Sequence, residues 1–434
     1  MFDRKLLERN SARRAGLVSR SVMAAALGLA VMAGATALSA PAFAQKSSAP
    51  KLKLSSGFQK IAVEAQKAVD GAKSGGDPAA AKAKLDEAIA AVSTEDDKYM
   101  AGNLAIGLGS TLQDPALQRR GIQMMLESGK VPATEQGRFN FFAGQLAYQA
   151  QDYAAARTAL QEAIRLGFKE GDPEVMLAEA MVADNQVTQG LAMLSQAIET
   201  RKASGQPAPE NWYRRGLGVA YNAKALNEAG VFARALARDY PTQQNWAGAI
   251  TVVREVGKFS DQEVLDLMRL MDVTNSYSEK NDYLEYIQTA DARRLPGEVL
   301  RVIQAGIASG KVPASDGFAA DAKAIASGRL AADKASLGGL ERDARAASAS
   351  AATVVGAGDA FLSYDEPAKA VEFYTAALSK AGIDQPRVLT RLGIAQVKSG
   401  QYAAAQETLA KVAGQRKPIA DLWTIYAAQK ATGS

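Results

Sequence analysis

From residue 55 to the end, Ala/Leu-rich stretches alternate with short polar breaks, a pattern that predicts helix, break, helix throughout. Several breaks share one chemistry: Asp77-Pro78, Asp114-Pro115 and Asp172-Pro173. An Asp that accepts from free N–H groups, followed by Pro at the first helical position, marks a helix start. Glu366-Pro367 and Gln385-Pro386 are weaker versions of the same signal. Lys73-Ser74-Gly75 and Lys398-Ser399-Gly400 read as helix stops, where Gly adopts the left-handed backbone that ends a helix. β-branched runs are few, so strands are not expected.

The breaks recur in phase with a repeat. Ala156, Leu160, Ala163 and Ile164 return 34 residues later as Gly190, Leu194, Ala197 and Ile198. Gly358, Ala370, Tyr374 and Ala377 return 35 residues later as Gly393, Ala405, Leu409 and Val412. Asp152-Tyr153-Ala154-Ala155-Ala156, then Leu160 and Ala163-Ile164 with Gly144 upstream, resembles a tetratricopeptide repeat; so does Leu392-Gly393 followed by Gly400-Gln401-Tyr402, Ala405 and Leu409. The resemblance is good over 137–204 and 351–419, plausible over 55–92 and loose over 211–242, and Phe168 stands where the family usually has Pro. It implies an all-α superhelical solenoid of about six to nine antiparallel helix pairs, with small residues such as Gly144 and Ala156 letting paired helices cross at roughly 8–10 Å. It also implies a concave groove lined by first helices, where a protein partner would bind.

On this reading the chain divides into a signal peptide (1–44), a polar linker (45–54), partly divergent repeats (55–317), an Ala-rich connector helix or hinge (318–352) and C-terminal repeats with a capping helix (353–434). The signal rests on a basic start, an uncharged apolar run over 23–38 and the small-residue site Ala42-Phe43-Ala44, with cleavage before Gln45. An uncleaved anchor is the rival reading, but the Ala/Gly content makes this a poor span, and Arg13-Arg14 is ordinary charge for such a start. A periplasmic protein without a stable membrane span is therefore expected.

Composition narrows the chemistry. The 434 residues include neither Cys nor His, which excludes thiol nucleophiles, disulfides, thiolate or imidazole metal sites and serine-triad chemistry. No cofactor is expected. The formal charge of +5 comes largely from residues 1–44, which hold six Lys/Arg against Asp3 and Glu8, so the remainder is near neutral and nucleic-acid binding gets no support.

Single motifs add little. Ser128-Gly129-Lys130-Val131-Pro132 returns as Ser309-Gly310-Lys311-Val312-Pro313; each lacks the flanking Gly and Ser/Thr of a phosphate loop and reads as a structural turn. Gly107-Leu108-Gly109 and Gly216-Leu217-Gly218 read as close helix packing, and Glu95-Asp96-Asp97 as a solvated helix end. The cluster from Tyr277 to Tyr286 offers Asp282 and Glu285 as paired carboxylates, though three-residue spacing on a helix more commonly makes a charged face. The family's clamp for a terminal carboxylate is not supported, because Phe141, Gln145, Val355, Asp359, Thr390 and Ile394 occupy its places. The expected function is a non-enzymatic scaffold that binds a protein partner, with Arg138, Phe141, Gln145 and Tyr148 on one helix face as part of the groove. The alternatives are a carboxylate-dependent enzyme acting on envelope polymers, or a structural subunit of an envelope complex.

Overall fold

The computed structural model describes residues 52–433. The signal reading, including Ala42, Ala44 and Gln45, lies outside them. The described residues form 20 α-helices and no strand. They fall into two compact units, divided between Ala225 and Leu226.

Unit 1 stacks four helix pairs and one further helix: α1 (Ser56–Lys73) with α2 (Pro78–Ala90), α3 (Glu95–Leu112) with α4 (Pro115–Glu127), α5 (Ala133–Gln149) with α6 (Tyr153–Arg165), α7 (Pro173–Ala183) with α8 (Val187–Ala203), then α9 (Glu210–Asn222). Unit 2 continues the pattern with α10 (Leu226–Asp239) and α11 (Gln243–Gly257), α12 (Asp261–Val273) and α13 (Lys280–Ala290), α14 (Pro296–Ala308) and α15 (Gly317–Arg345), α16 (Ala351–Ser363) and α17 (Pro367–Ala377), and α18 (Gln385–Lys398) and α19 (Tyr402–Leu409). A 3₁₀ turn (Gly414–Arg416) leads into α20 (Lys417–Ala431). Within each unit the fold is an all-α solenoid of antiparallel helix pairs.

The small residues of the repeat do what the spacing requires. A Cβ on Gly144 would stand 2.6 Å from Leu160 Cγ; one on Gly358 would stand 2.7 Å from the Tyr374 ring, and one on Gly393 2.5 Å from Leu409. Each glycine therefore admits the large residue one helix later, at the same separation in sequence all three times. In the α3–α4 pair the approach is backbone to backbone: a Cβ on Gly102 or Gly121 would lie within 2.7 Å of the other's carbonyl oxygen. Any side chain at these positions would push the helices apart.

Helix ends follow the sequence signals, with exceptions. Asp77 and Asp114 cap α2 and α4 through the N–H groups of Ala79 and Leu117. Asp172 makes no such cap; its backbone is left-handed and its carboxylate accepts from Trp212 Nε1 and Asn211 Nδ2, both at 2.8 Å. At Gln385-Pro386 the capping side chain is Asp384, one residue earlier, accepting from Arg387 N. The two Ser-Gly-Lys-Val-Pro segments end α4 and α14. Gly129 and Gly310 turn left-handed there, Val131 and Val312 are buried, and Ser128 and Ser309 donate back to Met125 O and Gly306 O. Of Glu95-Asp96-Asp97, Glu95 is exposed as a solvated end would be, but Asp97 is not. Asp97 is fully buried, closes a capping box with Thr94, and accepts from Ser55 N, Ser55 Oγ and Ser93 Oγ. Burial alone would raise its pKa, but these donors hold it at about 2.

Residues 317–345 form one continuous helix of 29 residues, packed first on α14 and then on α16. It buries only Ala319, Ala322, Ala326 and Ala344.

Candidate binding surface

The first helices of successive pairs carry two different kinds of inner face. In unit 1 this face runs across α5, α7 and the further helix α9. Arg138, Gln145 and Tyr148 are half-buried on α5, whereas Phe141 is 7% exposed and belongs to the core. Its ring lies 5.2 Å from that of Phe168 and against left-handed Gly171, where a Cβ would strike Phe141 Cζ. Phe168 thus fills space against Phe141. Arg138 pairs with Glu135 at 3.6 Å and lies over the Phe142 ring.

Tyr148 packs beside Tyr153, with ring centroids 5.7 Å apart. It also stands in the field of Glu179 on α7 and Arg215 on α9. Those two form a bidentate pair at 2.9 and 2.6 Å, with the arginine side chain 40% exposed. Burial raises the Glu179 pKa, and Arg215 opposes the rise. Burial likewise raises that of Tyr148, with Glu179 adding to it. Tyr148, Glu179 and Arg215 therefore make a polar, aromatic row across α5, α7 and α9. Only Tyr148 was identified from sequence. Glu179 and Arg215 carry no motif; the one trace is that Glu179 lies 34 residues after Gln145, at the same repeat position.

In unit 2 the corresponding face is filled. Asp266 on α12 accepts from Arg416 at 2.7 Å, Arg269 at 3.2 Å and Arg391 at 3.3 Å. Arg269 also donates twice to Glu298 on α14, at 2.9 and 2.8 Å, and Tyr286 donates to the same carboxylate at 2.7 Å. Arg391 reaches Asp359 on α16 at 2.6 Å, and Arg387 and Tyr374 donate to that carboxylate at the same distance. Gln262 completes the ring of contacts by accepting from Arg391 at 2.9 Å. Asp266, Arg269, Glu298, Arg391 and Arg416 are all buried. Burial would raise Glu298 and Asp359, yet the neighbouring guanidiniums, Arg269 for the first and Arg391 for the second, hold both at about 2. Asp359, a groove position by family resemblance, is thus spent on an internal ion network. The readable trace of this network is charge inside apolar runs: Asp266 and Arg269 interrupt Val264-Leu265 and Leu267-Met268, and Arg391 interrupts Val388-Leu389 and Leu392.

The carboxylates considered for catalysis are committed elsewhere. Asp282 closes the capping box of α13, accepting from Ser278 N at 2.7 Å and Glu279 N at 3.0 Å, while Glu285 pairs with Arg254. Tyr283 and Tyr286 are buried, and Tyr283 stacks on Tyr277 at 4.0 Å. Among the described residues no cluster of acidic side chains is arranged to hold a metal ion, and no helix is long and apolar enough to cross a membrane.

No family model matches the chain, and no curated protein matches it. Solved structures similar to it include Naa15/Naa10 bound to HypK-THB, at 15% identity over 83% of this chain and 65% of that one, with a TM-score of 0.28. The human IFIT1 dimer with PPP-AAAA is similar at 10% identity over 88% of this chain and 96% of that one, with a TM-score of 0.22. The APC/C hetero-tetramer Cut9–Hcn1 is similar at 10% identity over 84% and 87%, with a TM-score of 0.18. The chain thus spans just under two thirds of the first of these.

Proposed function

We propose that the protein is an exported, non-enzymatic scaffold whose unit 1 captures a segment of a protein partner in the cell envelope. The carrying observation is the row Tyr148–Glu179–Arg215, which runs across α5, α7 and α9 and leaves aromatic and charged groups within reach of solvent. A repeat stack presents such a row to an extended or helical segment along its whole length. Arg138 and Gln145 extend the surface on α5, and Phe141 supports it from the core.

A photo-crosslinking residue in place of Gln145, introduced in cells, tests the reading. Discrete protein adducts are expected, and they should vanish when Tyr148→Ala and Arg215→Ala are added while Tm stays nearly unchanged. Absence of adducts at Gln145, alongside adducts from a control position on α1, would remove this surface. Export is tested separately by intact mass: the envelope-localised protein should begin at Gln45, and a mass that retains residues 1–44 supports the anchor instead.

A further inference from the structure

Asp172 stands at the start of α7 and gives that helix no side-chain cap. Gly171 and Asp172 are both left-handed, at φ 76° and 54°, a conformation that Asp tolerates better than most residues. The turn carries the carboxylate away from the free N–H groups of α7 and onto α9. There Oδ1 accepts from Trp212 Nε1 and Oδ2 from Asn211 Nδ2, both at 2.8 Å. The chain thus gives up a local hydrogen bond, available at every Asp-Pro start, for one that fixes a neighbouring helix.

α9 depends on such a hold. It packs on α7 and α8, and unit 1 ends at Ala225, so within the unit α9 has no second helix of its own. Its buried face is Trp212, Tyr213, Gly216 and Ala220. Burying that face brings α9 to its neighbours without setting its rotation, because the hydrophobic effect is non-directional. Hydrogen bonding sets it. Trp212 is 3% exposed, so any rotation that took Nε1 off Asp172 would leave a buried donor unpaired. From α8, Arg201 covers the indole at 5.5 Å and donates to Pro207 O in the loop leading to α9. Arg215 follows Trp212 by three residues, on the adjacent turn, and meets Glu179 two turns along α7 from Asp172. A part-exposed ion pair of this kind contributes little by itself, so the pair follows the helix rather than holding it.

We propose that Asp172 is a positioning residue of the unit 1 surface: by holding Trp212 and Asn211 it sets the rotation of α9, and so keeps Arg215 in line with Glu179 and Tyr148 before a partner arrives. The inference rests on the function proposed above and adds residues that touch no partner. Its physical content is pre-organisation. A guanidinium already held in place loses less freedom on binding than one carried by a helix free to turn.

Two substitutions separate the carboxylate from the backbone it sits on. Asp172→Gly keeps the left-handed turn and removes the acceptor, whereas Asp172→Asn keeps both. The absence of cysteine allows spin labels in the full chain at Gln149→Cys, exposed on α5, and Gly218→Cys on α9, where nothing lies within 4 Å of the missing Cβ. One narrow distance is expected in the parent and in Asp172→Asn, and a distribution at least twice as broad in Asp172→Gly. With the photo-crosslinking residue at Gln145, and well below the melting transition, adduct yield should fall several-fold in Asp172→Gly and recover in Asp172→Asn. An unchanged narrow distance in Asp172→Gly overturns the proposal whatever the adducts do. A broadened distance with undiminished adducts overturns it as well, because capture would not depend on where Arg215 stands. If the parent itself yields no adducts while the distance broadens, the function proposed above falls, and Asp172 keeps a structural role alone. Trp212→Phe removes the donor and keeps a ring, so it should broaden the distance in the same way. It decides the matter where Asp172→Gly does not fold, and an unchanged distance there ends the idea.

Discussion

Unit 1 and unit 2 are built from the same helix-pair grammar and use their inner faces in opposite ways. In unit 1 the row Tyr148–Glu179–Arg215 stays within reach of solvent, with its arginine 40% exposed. In unit 2 the equivalent face buries Asp266, Arg269, Glu298 and Arg391 in one network. What differs is connectivity. α20 packs back on α10, α11 and α12, so the last elements of unit 2 cover what the first ones present. A repeat position thus specifies which way a side chain points, and the closure of the stack decides whether it meets water or an opposite charge.

The largest effect expected from this contrast is on stability. Asp266→Ala takes a shared carboxylate from three buried arginines, leaving Arg269 to Glu298 and Arg391 to Asp359 but depriving Arg416 of its ion pair, and should cost about 3–5 kcal/mol, the usual penalty for removing one partner of a buried ion group. Arg215→Ala removes a part-exposed pair and should cost no more than about 1 kcal/mol. Denaturant melts of the two variants against the parent make the comparison. A larger loss from Arg215→Ala would invert the assignment of open and filled faces.

Within unit 1, Phe141→Ala and Tyr148→Ala should separate. Phe141 is buried against Phe168 and should lose about 3–5 kcal/mol on truncation. Tyr148 should lose much less stability and take partner capture with it. If Phe141→Ala leaves Tm intact, that side chain belongs to the surface after all.

Acid should also tell the units apart. Glu298 and Asp359 are held at about 2, below the values of 4.5 and 3.8 they take when unfolded. Their contribution is therefore complete above about pH 4.5 and disappears as pH falls toward 2. Glu179 in unit 1 is shifted upward by burial and has the opposite sign: as pH rises through its folded pKa, part of its stabilising contribution is lost. Asp97, held at about 2, gives unit 1 some acid sensitivity of its own, so the difference is one of degree. Trp423 and Trp246 report on unit 2 and Trp212 on unit 1. In single-tryptophan variants the unit 2 signals should be lost at higher pH than that of Trp212. Coincident loss would mean that the ion network does not govern the acid transition of unit 2.

The smallest effect sharpens the reading of the Asp-Pro breaks. Asp114→Ala should cost about 1 kcal/mol as a lost helix cap. Asp172→Ala makes no cap to lose; it should alter the near-ultraviolet signal of Trp212, to which its carboxylate is bonded, while Asp114→Ala leaves that signal unchanged.

Much of this was legible locally. Helix starts at Asp77 and Asp114, stops at Gly75 and Gly400, and the crossings at Gly144, Gly358 and Gly393 depend on residues a turn or one helix away, so spacing alone reveals them. Asp172, Asp97 and Phe141 were misjudged or left open for a shared reason: each is occupied by a group outside its own helix.

The sequence by itself determined the helical-repeat class, the chain's break points and the face on which each first-helix residue stands, because helix periodicity, capping and glycine tolerance are short-range properties of the backbone. Only the tertiary structure decided that Asp266, Arg391 and Arg416 share one site and that the groove positions of unit 2 are filled. Partners 125 and 150 residues apart leave no periodic trace, and a lone charge in an apolar run becomes intelligible only when folding brings its counterion to it.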